Sequence, residues 1–589
     1  MGRAGNVEQK QPLPVESAYP PGAPGQRAGR RGPLLLVVGI VLAACVLSLA
    51  CAACGLVAYR VVRSGALAGI EQALGTPVPL PQGRATPVTS PASSGELRLY
   101  GAEPVTLDPA LVSDSSSSTY VIEIFSGLVT LDENLQVAPD LAERWQVSPD
   151  GRTYTFYLRH DAKFQDGRPI TSADVQYSFE RACSPQLASQ PAKVYLSDIE
   201  GAAAVMQGRA KEISGLHIID DYTLSLTIDA PKAYFLAKLT YPTAFVVDRA
   251  NVSQGANWTD HPNGSGPFRL ARRDGQHIVL ERNPYFYRGA AKLERVTFTL
   301  AGGDPMTMYE NDQLDIVDVG LSDIDRVLDP SNPLHSELTV TDSFDVEYLG
   351  MNTQVPPFDD PAVRRAFAQA IDRQRLADVV LMKTVTPAVG ILPPGFPGYQ
   401  ADLQGVQFDP DAALASLRQS KYKDAADLPE VVLYTSGEGG TMPPTVEAIV
   451  DMLSTNLGVQ VQVQQTPWSN FLRDLDQHRY GFFLTGWIAD YPDPQNFVDI
   501  LFHSDSVNNY ANYRNPQVDQ LLAQARVEKD NAKRMQLYAQ AEAIILQDAP
   551  CIPLWHSRNY TLVKPYVKGV AASAGLRPWL KDVYLARGS

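Results

Sequence analysis

Phe482-Phe483-Leu484, then Gly486-Trp487-Ile488-Ala489-Asp490-Tyr491-Pro492-Asp493-Pro494-Gln495-Asn496-Phe497, is the stretch around which the rest of the chain arranges itself. The apolar run reads as a short buried strand, and Pro492 and Pro494 break the chain beyond it into a turn. Trp487 and Asp490 therefore fall at a strand end, where loops on a rigid sheet carry function. A carboxylate beside a large aromatic suits a small cation, such as a peptide's free α-amino group, because the acid supplies charge while the ring excludes water. On these residues alone the plainer alternative stays open: a packing Trp and a turn-capping Asp.

Working outward, Val431 to Tyr434, Val446 to Leu457 and Val459 to Val463 read as strand, helix and strand. Such a βαβ unit predicts a parallel sheet with its ligand site at the strand carboxyl ends. Asp360-Pro361 caps a helix whose apolar face is Val363, Phe367, Ala370 and Ile371. Asn515-Pro516 opens another helix, a long one runs from Asn531 to Leu546, and Pro550 to Trp555 reads as a strand. Toward the N-terminus, Glu96 to Tyr100 alternates as a strand, Ser113 to Ser118 reads as a loop, and Tyr120 to Leu128 has helical apolar spacing. Trp145 to Arg159 is a hairpin around Pro149-Asp150-Gly151, and Thr171-Ser172-Ala173-Asp174 is a capping box opening the helix Val175 to Ala182.

A length of 589 residues with 44% apolar and 20% charged side chains predicts two or three lobes with substantial cores. The net charge of −15 argues against a nucleic-acid partner. Pro33 to Tyr59 contains no charged side chain and is long enough to cross a bilayer. The basic residues before it (Arg3, Lys10, Arg27, Arg30, Arg31) put the N-terminus in the cytoplasm and the large C-terminal portion outside. Residues 1–32 are then a cytoplasmic tail or signal n-region, 33–60 an anchor, and 61–94 a Pro/Ser/Thr-rich tether. The competing reading is a lipoprotein signal, in which Leu42-Ala43-Ala44-Cys45 is a lipobox and Cys45 is lipidated after cleavage. Both place the same domain on the outer face. Outside the apolar span only Cys183 and Cys551 remain, either one disulfide or two buried thiols.

Several segments in register resemble the oligopeptide- and dipeptide-binding family of ABC-importer solute receptors, the family 5 extracellular solute-binding proteins. They are Trp145 through Ala182, Asn263-Gly264-Ser265-Gly266-Pro267-Phe268, Arg282-Asn283-Pro284-Tyr285-Phe286-Tyr287, Tyr348 to Thr353, Pro361 to Arg373, Trp487 to Pro494, and Pro553 to Gly569. The resemblance spans about Glu96 to Leu580. It implies an α/β, two-lobed periplasmic-binding-protein fold (class II, Venus-flytrap) with an extra N-terminal subdomain. The implied layout is lobe I at 95–300 with the subdomain at about 126–215, lobe II at 301–550, and a return to lobe I at 551–589.

The same resemblance implies a monomeric receptor that holds an extended peptide as an added strand and delivers it to ABC permease subunits with their ATPases. Asp490 then pairs with the ligand's α-ammonium beside Trp487, Gly486 and Ile488 line the site, and the backbone-pairing loop maps to Ser115 and Ser116. Two departures stand out. Thr441 to Glu447 offers no cation where dipeptide-selective members carry an Arg, and Leu484 stands where some oligopeptide receptors have one. Longer peptides, or amines lacking a carboxylate, are favoured. Receptors for nickel chelates or sugars, and a membrane-anchored sensor without a transport role, are the alternatives within this class.

No catalytic residue, metal ligand set or cofactor is expected. The chain lacks a Gly-x-Ser-x-Gly elbow and a His-Glu-x-x-His pair, its eight His are scattered, and Gly437-Glu438-Gly439-Gly440 lacks the Lys of a phosphate loop.

Overall fold

The computed structural model describes residues 95–403, 405–570 and 578–586. The expected tail, the apolar span with Cys45, and the tether all lie outside the described residues. Among the described residues no helix is long and apolar enough to cross a membrane.

The chain begins with β1 (Glu96–Tyr100), which buries Leu97 and Leu99 and leaves their neighbours half-buried. Asp114 then accepts the Ser117 N–H and caps α1 (Ser115–Ile124). The helix thus starts inside the serine run that reads as a loop. Serine is a weak helix former on its own, and a capped first turn overrides that preference.

Next come the ribbon β2 (Val129–Leu131) and β3 (Val137–Pro139), then the expected hairpin of β4 (Ala142–Val147) and β5 (Thr153–Leu158). α2 (Ser172–Ala182) opens on the expected box, the Thr171 N–H donating to the Asp174 carboxylate at 2.8 Å. After α3 (Gln190–Tyr195), β6 (Leu216–Asp220) and β7 (Thr223–Thr227) complete a sheet in the order β4-β5-β7-β6. Phe156, Phe164, Phe179 and Leu226 fill its core. A second sheet, β1-β10-β9-β8, adds β8 (Phe268–Arg273), β9 (His277–Arg282) and β10 (Arg295–Thr299), with β1 and β10 parallel.

The largest sheet takes β11 (Ile316–Asp318), β12 (Leu338–Asp342), β13 (Asp345–Met351), β14 (Val385–Pro387), β15 (Val431–Ser436), β16 (Val461–Thr466), β17 (Phe482–Ile488) and β18 (Cys551–Val563). Its order is β11-β18-β13-β17-β15-β16, with β12 and β14 also on β18. β15 pairs in parallel with β16 and β17, as the βαβ reading expects, but β13 and β18 run antiparallel, so the sheet is mixed. Helices α4 (Pro361–Ala370) and α5 (Pro444–Leu457) contribute Phe367 and Ile449 to the core on one face, with Leu349, Leu433, Phe482 and Leu484. On the other face Tyr348, Phe483 and Phe497 pack with residues of α6 (Pro516–Val527) and α7 (Asn531–Asp548), among them Leu522 and Tyr538.

β18 runs eight residues beyond the expected Trp555. Its first half pairs with β13 and β14 and its second with β12 and β11. The result is a two-lobed α/β fold with an extra subdomain built on β4 to β7. Cys183 and Cys551 are separate buried thiols.

Candidate ligand-binding site

β17 pairs with β13 along all of Phe482 to Ile488, but with β15 only at Phe482 and Phe483. From Leu484 to Ile488 its second edge therefore carries no strand among the described residues. Ala489, just past the strand, donates its N–H to Phe344 O on the β13 side at 2.8 Å. Backbone groups alternate sides along a strand, so Gly486 and Ile488 turn theirs to the open edge. The side chain of Ile488 is 50% exposed there. A five-residue unpaired edge beside an interlobe contact is a template for an added strand.

Asp490 stands at the end of this edge. Its Oδ2 accepts two hydrogen bonds, one from the Tyr195 hydroxyl of α3 and one from Asn496 Nδ2 at 2.8 Å. Its Oδ1 accepts none from the described residues. Burial among protein atoms pushes the carboxyl up to about 6, and the bonds from Asn496 and Tyr195 restrain that rise. The group is a partly desolvated carboxylate with no cationic partner among the described residues.

Asn496 fixes this geometry from three sides. Its Oδ1 accepts the Asp490 N–H at 2.9 Å and the Trp487 indole N–H at 3.2 Å, while its Nδ2 holds the carboxylate. Asn496 ends a one-turn helix, Pro494–Asn496, whose N-cap is Asp493. Arg534 of α7 donates to both Asp493 oxygens, at 2.9 and 2.7 Å, with both side chains nearly buried. The turn after β17 is thus bolted to the longest helix of the fold.

The first lobe reaches this carboxylate through stacked tyrosines. Tyr195 stacks on Tyr241 with ring centroids 3.9 Å apart and planes 8° from parallel, and Tyr241 donates its hydroxyl to Val112 O at 3.1 Å. Two residues on, Asp114 accepts from the Ser116 hydroxyl and the Ser117 N–H, and its Oδ2 is buried without a partner among the described residues. Ser115 is exposed and Ser116 half-buried on the first turn of α1. Gly486, Trp487, Ile488 and Asp490 thus share one strand and its turn, and Val112, Tyr241 and Tyr195 connect the segment before Ser115 and Ser116 to that turn. Trp487 is half-buried, and by alternation it leaves on the opposite face of β17 from Gly486 and Ile488.

Sequence reasoning missed Tyr195 and Tyr241, which lie far from position 490 and belong to no motif. Asn496 lay within the opening stretch, but nothing in its spacing announced a triple contact. Among the described residues no group of three or more His, Cys, Asp or Glu is placed to hold a metal ion.

Two lobes with an open strand edge and a partly buried carboxylate where they meet define a solute receptor. The chain belongs to the bacterial extracellular solute-binding proteins, family 5, whose Middle model matches residues 136–509. YgiS of Escherichia coli, a probable deoxycholate-binding periplasmic protein, is 33% identical over 502 residues, covering 82% of this chain and 92% of that protein. The oligopeptide-binding protein OppA of Haemophilus influenzae, solved in complex with RPPGFSPFR, superposes with a TM-score of 0.75 at 27% identity, covering 84% of this chain and 99% of that one. The murein tripeptide-binding protein MppA of E. coli gives 0.78 at 26% identity over 84% and 99%, whereas its unliganded open form gives 0.62 at 27% over 84% and 98%. The lobes of this chain are therefore arranged less like that open form.

Proposed function

We propose that this chain is the extracellular binding component of an ABC importer that captures peptides between its lobes and hands them to a membrane permease. The observation that carries the reading is the unpaired edge of β17 ending in Asp490. An extended peptide supplies the missing strand, its backbone pairing with Gly486 and Ile488 and its α-ammonium taking the free Oδ1 of Asp490. Recognition through the backbone does not itself depend on the ligand's side chains, so many sequences fit. The relative solved with RPPGFSPFR supports this ligand class. With no cation in Thr441 to Glu447 and Leu484 on the strand, nothing there fixes a ligand carboxylate, which favours oligopeptides over dipeptides.

Ser115 and Ser116 form the first lobe's wall of the site in this reading, and Trp487 braces Asp490 through Asn496. The receptor acts as a monomer at the outer face, held by segment 33–60 as an uncleaved helix or by a lipid on Cys45. Calorimetry of Asp490→Ala tests the site. Removing one partner of a desolvated ion pair costs about 3 to 5 kcal/mol, so peptide affinity falls by about two to four orders of magnitude. Unchanged affinity removes Asp490 from the site.

A further inference from the structure

The face of β13 and β17 that buries Leu349 and Leu484 continues, one alternation further, with Glu347 and Gly486. These two are register partners, and a Cβ built on Gly486 meets Glu347 Oε2 at 2.5 Å. The carboxylate therefore leaves its own strand and lies over β17, next to the edge that carries no partner strand. A side chain at 486 would push the carboxylate out of this position.

On the other flank of β13, Trp555 of β18 is the register partner of Glu347 and packs half-buried against the same core. No described residue makes an ion pair or hydrogen bond with Glu347. The one charged neighbour it feels is Asp345 on its own strand, whose Oδ1 accepts the Ser557 N–H at 2.7 Å. β17 adds only the uncharged Phe482, Leu484, Gly486 and Ile488 to this face. Burial first, and Asp345 second, push the Glu347 carboxyl up to about 8, so at neutral pH it keeps its proton until a cation arrives.

We propose that Glu347 is a specificity residue, selecting peptides that carry a Lys or Arg side chain on the internal residue lying alongside Gly486. The inference rests on the peptide-binding reading above and narrows its substrate class. A ligand strand on the open edge of β17 lies about 4.8 Å from it. A long basic side chain projecting to the Glu347 face spans that gap easily and ends at the carboxylate near the Trp555 indole, a pairing that favours cations. Asp490 takes the first positive charge of the ligand and Glu347 the second.

Calorimetry with alanine tetrapeptides tests it, with Lys or its uncharged isostere norleucine placed at position 2, 3 or 4. In the native receptor one internal position binds Lys about tenfold or more tighter than norleucine. Glu347→Gln abolishes that difference and leaves the norleucine peptides within about threefold, which also shows that the variant is folded. Lys binding no better than norleucine at every position overturns the inference on the native protein alone, as does a preference that survives in Glu347→Gln. Failure of all the peptides to bind sinks the peptide reading itself, a separate and recognisable outcome.

Discussion

At position 490 burial and hydrogen bonding pull in opposite directions. Loss of water raises the carboxyl to about 6, and the bonds from Tyr195 and Asn496 oppose the rise. A bound ammonium favours the ionised form and lowers this pKa in the complex. Peptide affinity is therefore level near pH 7 and weakens as pH falls through about 6, approaching tenfold per pH unit below it. Titrations at pH 5, 6 and 7 check this, and Asp490→Asn removes the dependence. For the empty receptor the sign reverses. A folded-state pKa above the ordinary carboxylate value means that ionised Asp490 costs stability at neutral pH, so Asp490→Asn leaves the Tm at pH 7 unchanged or higher. The place of Asp490 at a strand end was legible because a turn full of proline comes directly after an apolar run. Tyr195 was not, because a tyrosine that stacks on Tyr241 looks in sequence like any core aromatic.

At the scale of elements, the turn from Asp490 to Phe497 owes its shape to one ion pair. Asp493 caps the single helical turn that presents Asn496, and Arg534 holds both Asp493 oxygens in a nearly buried setting. Arg534→Ala leaves that carboxylate without its cation, which costs about 3 to 5 kcal/mol of folding stability. Denaturant unfolding should show this loss, and the peptide affinity of the folded fraction falls with it because Asn496 loses its support. Helix starts announced by a cap were readable: Asp360-Pro361, Asn515-Pro516 and Thr171 with Asp174 all open helices. α1 was not, since Asp114 precedes four serines that look like a loop. β18 was read only to Trp555 because Ser557-Arg558-Asn559 interrupts its apolar pattern, and the partners β11 and β12 that hold this part are remote in sequence.

Across the whole molecule, β18 serves β13 and β14 with its first half and β11 and β12 with its second, so one continuous strand holds four others of the largest sheet. The packing of Tyr195 and Tyr241 with Tyr491 and Phe497 draws α3 and the turn after β17 together. This two-lobed architecture was accessible through segments that resemble a family in register, whereas local patterns alone gave separate strands and helices. How the lobes meet was not accessible, because the contact is made by single side chains from distant positions rather than by a motif. The central claim is that a peptide's amino end completes the anion at Asp490 when its backbone completes β17. Calorimetric titration of one alanine-rich tetrapeptide, with a free or an acetylated N-terminus, tests it most directly. Acetylation should weaken binding by about two orders of magnitude or more, in keeping with the loss of one partner of a desolvated pair; an acetylated peptide that binds as tightly as the free one contradicts the account.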